Sequence, residues 1–328
     1  MSLKLPALAL MALVSATVVA PSAAGAAPRG SIVFSDKGNI WLIGADGSGR
    51  RKLTRGGGWS SPSQASNGLI VALRRKELHR LDRHGRRIGR PVPLLGTTER
   101  KSGNVTIQAG PADLEVSPNG RLAAYWIGTL HQTCNPVTFF CDFRLQDNIA
   151  VTRTDRFTPF DRYGLTRDYE EPSWVGNQRV LMFNYGFAAD VAIDPLGQGD
   201  ENLIQLFDDP GGEQLGAGRA PPRAPLMIVL RGPNQESGPQ PTMRLYHLRG
   251  DGAAVPVCEF TGGKGGGFAS PAISPDGRVL AWVEGDGIHV GRVPPAAELA
   301  AGSASCARIT DKRITGGREP FWGPKGVR

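Results

Sequence analysis

Ala269-Ser270-Pro271-Ala272-Ile273-Ser274-Pro275-Asp276-Gly277-Arg278-Val279-Leu280-Ala281-Trp282-Val283 decides how the rest of the chain is read. Pro275 presets φ for a turn, Asp276 can bond to nearby backbone, and Gly277 takes φ > 0 without steric cost. The stretch therefore predicts a strand, a tight turn and a second strand. Degraded copies recur. Their second strands are the apolar runs Leu69 to Leu73, Leu122 to Ile127, Val180 to Phe183 and Leu226 to Leu230, with a first run at Ile32 to Phe34. Repetition at this spacing points to a propeller built from one supersecondary unit per blade.

The ends of the chain complete the pattern. The last copy, Glu319-Pro320-Phe321-Trp322, has no strand after it, and the first run, Ile32 to Ser35, has none before it. Pairing the two makes one full unit and removes the edges an open array would expose. The expected fold is all-β, a six-bladed β-propeller of four-stranded antiparallel blades, closed by pairing of the carboxy-terminal strand with the amino-terminal strands.

Within the first unit, Gly38-Asn39-Ile40-Trp41 leads to the turn Asp46-Gly47 and then to Arg51-Lys52-Leu53-Thr54. Together with the Ser-Pro-Asp-Gly turn, this pattern resembles the repeats of the TolB-type β-propeller family over nearly all of residues 31 to 326. The likeness is strongest in the first, fifth and sixth units. It implies a six-bladed propeller of the exported, often protein-binding kind, without the amino-terminal domain that TolB carries.

Of the 328 residues, 40% are hydrophobic and 21% charged, enough to bury a core and too apolar for a disordered chain. The 44 glycines and 26 prolines argue against long helices. Lys4, an apolar run from Leu5 to Ala20 and the small residues Ala24-Gly25-Ala26 have the order of a secretory signal peptide. Residues 1–26 are read as that signal, with cleavage after Ala26, leaving one domain over 27–328. A retained anchor is the alternative, but the run is shorter than the roughly 20 residues a spanning helix needs. No later segment is apolar enough to cross a membrane. Export to the periplasm, the envelope or the medium permits disulfides. Four cysteines allow three pairings; Cys134 with Cys141 and Cys258 with Cys306 is the expected one, because the first two flank a short segment and the others occupy matching places in successive repeats.

The formal charge is +8 and unevenly spread. Arg50 to Lys101 holds 14 Lys or Arg against Glu77, Asp82 and Glu99, whereas Val180 to Gly218 holds seven acids and no Lys or Arg. The basic sector lacks the interleaved aromatics of a single-strand binder, so it is read as solvated charge and not as a nucleic-acid surface.

With strands A to D counted from the propeller axis, the B–C and D–A connections share one face. Residues 128–146, 185–201 and 232–241 are read as long B–C connections and 96–110 and 208–225 as long D–A connections; only 294–305 falls on the other face. That crowding nominates one binding surface. Around the channel mouth on that face it places Trp59, Lys101, Asp168, Tyr169, Glu170, Lys264, Phe268, Arg318 and Glu319. On the long loops it places His131, Phe139 and Phe140, the aromatics lying inside the cysteine loop.

Catalysis finds no motif. There is no Gly-x-Ser-x-Gly elbow, and His79, His84, His131, His247 and His289 show no metal spacing. His79, His247 and His289 fall on strands and are read as structural. Asp190, Asp194, Asp200 and Glu201, with Asn202, are oxygen donors of the kind calcium takes, but without EF-hand spacing. No catalytic residue, metal or cofactor is assigned. The expected function is a monomeric, exported, non-enzymatic scaffold that binds a protein or envelope polymer through its long-loop face and channel mouth. The alternative is a lyase or glycan hydrolase with acids at that mouth.

Overall fold

The structure is a computed structural model that describes residues 29–94, 98–101, 104–135, 137–138, 140–157, 166–167, 170–183, 187–192, 203–208, 214–221, 225–232, 241–248, 254–261, 267–293, 311–324 and 326. The signal-like residues 1–26 lie outside it. In chain order, β1 (Ser31–Asp36), β2 (Asn39–Gly44) and β3 (Arg51–Lys52) are followed by β4 (Trp59–Gln64), β5 (Ile70–Arg74), β6 (Glu77–Leu81) and β7 (Val92–Pro93). Next come β8 (Thr98–Lys101), β9 (Asn104–Val116), β10 (Leu122–Cys134), β11 (Cys141–Arg153) and β12 (Thr166–Arg167). Then follow β13 (Glu170–Val175), β14 (Arg179–Phe183), β15 (Phe187–Ala192) and β16 (Leu203–Asp208). The last are β17 (Gln214–Arg219), β18 (Leu226–Gly232), β19 (Thr242–Leu248), β20 (Ala254–Thr261), β21 (Ala269–Ile273), β22 (Val279–Glu284), β23 (Gly287–Arg292), β24 (Lys312–Thr315) and β25 (Arg318–Gly323).

These strands form antiparallel propeller blades. Among the described residues the sheets are β25-β1-β2-β3, β4-β5-β6-β7, β12-β11-β10-β9-β8, β13-β14-β15-β16, β17-β18-β19-β20 and β21-β22-β23-β24. Five have the four strands the sequence predicts, and the third departs from them with five. The carboxy-terminal strand pairs with the first one, Ile32 opposite Trp322 and Val33 opposite Phe321.

The hairpin quoted above forms as its residues dictate. Gly277 has φ 71° and donates its N–H to the Ser274 carbonyl, while the Ser274 hydroxyl donates to Asp276 and accepts from the N–H of Val279 at 2.9 Å. Ser117-Pro118-Asn119-Gly120 repeats the geometry: the Leu122 N–H reaches the Ser117 hydroxyl at 3.0 Å, and Gly120 has φ 78°. Apolar side chains on both faces of the central strands then pack between consecutive sheets. Ile70, Ala72 and Trp59 meet Val33, Ile40 and Leu42; Val71, Leu73 and Leu78 meet Leu114, Tyr125 and Ile127. A further cluster packs Ala272, Ala281 and Ile288 of the last sheet against Ile32, Phe34 and Trp322 of the first. Each large buried side chain of this kind contributes roughly 1.5–3 kcal/mol. Polar latches link inner strands too. The N–H groups of Val116, Trp174 and Ala220 donate to Ser63 Oγ (2.9 Å), Glu115 Oε1 (2.9 Å) and Ser173 Oγ (3.1 Å) of the preceding sheet.

Four of the expected long connections contain strand. Residues 128–146 and 96–110 contribute the outer halves of β10, β11 and β9 and the whole of β8, which pair with one another: His131 opposite Arg144 and Thr106, Thr106 opposite Glu99. The result is a sheet-like arm on the B–C and D–A face. Residues 185–201 include β15, so the B–C link there is short, and 208–225 contains β17, an inner strand. Residues 294–305 and most of 232–241 lie outside the described residues.

Candidate functional site

The inner strands share one irregularity. In β4, β9, β13, β21 and β25 the register shifts against the neighbouring strand, and at the shift a residue other than glycine takes positive φ: Ser61 (44°), Asp113 (48°), Glu171 (49°), Ser270 (46°) and Glu319 (51°). Pro62, Pro172, Pro271 and Pro320 follow four of them. Proline brings no N–H, so a bulge there leaves no donor unpaired. Such backbone costs on the order of 1–3 kcal/mol per site and is held by its surroundings. All five residues line one cavity of about 200 Å3 at the axis.

Among the described residues the cavity is lined by acids and one base. Asp113, Glu170, Glu171 and Glu319 share its wall with Arg219, among the described residues the one Lys or Arg lining it. Burial raises the Glu171 carboxyl to about 8, the Asp113 charge adds to that rise, and Arg219 opposes it. Burial likewise raises Asp113, with Arg219 pulling down and Glu319 pushing up. Deeper along the axis Arg219 also lines a second, smaller chamber of about 40 Å3 on the A–B turn side, with Gln64, Glu115, Trp174 and Trp322. There Glu115 Oε2 lies 3.3 Å from Arg219 Nε, and burial raises the Glu115 carboxyl to about 7 against the pull of Arg219 and of the Trp174 N–H. A site of this composition attracts cationic groups, and a carboxyl that keeps its proton near neutrality can donate it.

Of the residues nominated from sequence, Glu170 and Glu319 line the cavity. Trp59 and Phe268 do not: both are buried between sheets, Trp59 with its ring 4.9 Å from His79 and Phe268 at 6.5 Å from Trp282. Their apolar faces are worth more in the inter-sheet core than at a wet mouth. Arg318 is exposed, and its carbonyl accepts from the Ser35 hydroxyl at 3.4 Å. Asp168, Tyr169 and Lys264 lie outside the described residues, as does the side chain of Lys101, whose backbone ends β8. Sequence reasoning did not nominate Asp113, Glu171, Arg219, Ser61 or Ser270 for the site. The legible signal was the residue before proline, repeated as Ser61-Pro62, Glu171-Pro172, Ser270-Pro271 and Glu319-Pro320.

At the arm tip Cys134 and Cys141 form a disulfide, as expected. Val137, Phe140 and Phe143 are 83%, 81% and 59% exposed there, while His131 is half-buried in β10. Phe139 lies outside the described residues. Cys258 is buried and is not a free thiol; Cys306 lies outside the described residues. Of the oxygen donors considered for calcium, Asp190 sits in β15 opposite Leu181, and Asp194, Asp200, Glu201 and Asn202 lie outside the described residues. His79, His247 and His289 are on β6, β19 and β23, the strands read for them. Among the described residues no helix is long and apolar enough to cross a membrane.

No family model matches the chain, and no curated protein matches it. Solved structures do. TolB from Acinetobacter baumannii superimposes with a TM-score of 0.52 at 12% identity, over 90% of this chain and 67% of that one. The periplasmic gluconolactonase PpgL of Pseudomonas aeruginosa gives 0.51 at 11%, over 90% and 99%. A functionally unassigned protein of Desulfotomaculum acetoxidans gives 0.51 at 11%, over 90% and 99%. Likeness at this identity defines the class, a β-propeller, and TolB propellers are among the structures it is similar to.

Proposed function

We propose that this chain is an exported, non-enzymatic six-bladed propeller that binds a protein of the cell envelope on the face carrying the arm. The ring is read as closed by the β25–β1 pair, the second disulfide as Cys258 with Cys306, and the molecule as a monomer. What carries the reading is the arm tip: Val137, Phe140 and Phe143 project into solvent beside a disulfide that fixes the turn. Exposed aromatics held on a rigid element bind a partner with little ordering cost. The acid-lined mouth on the same face suits a basic segment of that partner. Crosslinked capture from cell envelope with wild type and with a Phe140→Ser, Phe143→Ser variant tests it. The variant loses the partner; identical captured proteins would overturn the reading.

A second reading, a lyase or glycan hydrolase working in the axial cavity, draws on the raised carboxyls of Asp113 and Glu171. Turnover of a panel of neutral and uronic-acid glycans, abolished in Glu171→Gln, would favour it over the scaffold. No turnover by the wild type removes it.

A further inference from the structure

His289 lies outside the channel and is 2% exposed. Its two ring nitrogens meet different carboxylates: Nε2 is 2.6 Å from Asp286 Oδ1 and Nδ1 is 2.5 Å from Asp311 Oδ1. Glu284, 6% exposed, completes the group, with one carboxylate oxygen accepting the Trp282 indole N–H at 2.8 Å. One ligand atom each from Glu284, His289 and Asp311 falls within 4.8 Å of the others.

We propose that Glu284, His289 and Asp311 bind a divalent transition metal of the zinc type, with Asp286 orienting the histidine from behind. Three observations carry this. A buried imidazole with a carboxylate on each nitrogen is the arrangement in which one nitrogen coordinates and the other donates its N–H to an outer carboxylate. One nitrogen and two carboxylates fit zinc, with a fourth position left for water or a ligand; calcium prefers an all-oxygen shell of six to eight. Charge agrees as well. Three acids surround one imidazole, with Arg313 Nε 3.5 Å from Asp286 Oδ2, and a carboxylate-rich group of this kind suits a dication. Coordination requires that the exposed Asp311 carboxylate swing away from its direct contact with the ring. The cluster lies beside the β22–β23 turn that carries Asp286, a B–C connection and so on the side of the arm.

The test is calorimetric titration of chelator-treated full-length protein with Zn2+ at pH 7.5, with Co2+ absorption as a second readout. One equivalent binds, and Co2+ gives the visible bands of a low-coordinate nitrogen and oxygen site. His289→Gln abolishes binding. Asp311→Asn, at an exposed position with little bearing on folding, weakens it by at least tenfold, and Asp286→Asn by about 10–100-fold. Absence of Zn2+ binding in the wild type would overturn the proposal and leave His289 as a hydrogen-bonded clamp between Asp286 and Asp311. Binding unchanged in both His289→Gln and Asp311→Asn would overturn it by moving the metal elsewhere.

Discussion

Glu319 in the last strand accepts the backbone N–H of Ser61 through Oε2 at 2.9 Å, across 258 positions of sequence. The contact joins β25 to the second sheet while β25 itself pairs with β1, so the carboxy terminus is tied on two sides. Deleting residues 317–328 removes both ties and uncovers Ile32, Val33 and Phe34. The expected outcome is loss of a cooperative thermal transition or aggregation, seen by calorimetry and light scattering. A transition at the wild-type temperature would show that β25 does not hold the propeller together.

Glu171 makes stability depend on pH. Its folded carboxyl is raised from 4.5 to about 8, so the folded state holds the proton more tightly than the unfolded chain. That contribution is fully present below about pH 4.5 and is lost as pH rises through about 8. Glu171→Gln mimics the protonated form. It should raise the melting temperature by several degrees at pH 9, change it little at pH 5, and flatten the profile between. An equal shift at both pH values would contradict the assignment.

Packing makes a sharper demand at Gly218. A Cβ there would overlap the ring of Phe183, which lies in the core between the fourth and fifth sheets. Gly218→Ala should cost about 1–3 kcal/mol by overpacking, read from denaturant midpoints at unchanged slope. Phe183→Leu in the same background should recover part of the loss.

The Cys134–Cys141 disulfide closes a segment with a separation of only 7 residues at the end of a projecting hairpin. Its effect should therefore be local. Replacing both cysteines by serine is expected to leave the global melting temperature within about 2 °C and to raise amide exchange over the arm tip. A large global loss would mean that the arm is part of the cooperative core.

Much of the fold was legible because its signals are local. Pro275, Asp276 and Gly277 specify their turn by backbone preference alone, and Ser117 to Gly120 repeat it. The unpaired first and last units announced the β25–β1 pair. The arm was not legible, because Gly128 to Thr133 alternates without a strongly apolar face, and its pairing partner, Val105 to Ala109, is contributed by a segment that reads as a loop. Neither segment alternates apolar with polar residues strongly enough for its periodicity to mark a strand.

The amino-acid sequence by itself determined the strand-turn-strand unit, its repetition, the all-β class and the pairing of Cys134 with Cys141, since each follows from residues a few positions apart. Only the tertiary structure decided which acids face the axis and which surround His289. The bulges at Asp113 and Glu171 bring those side chains to the cavity wall, and strand register brings Asp311 to a histidine 22 positions away. A one-residue shift reverses the face a strand side chain presents, and that shift is set by contacts between sheets, not by the local chain.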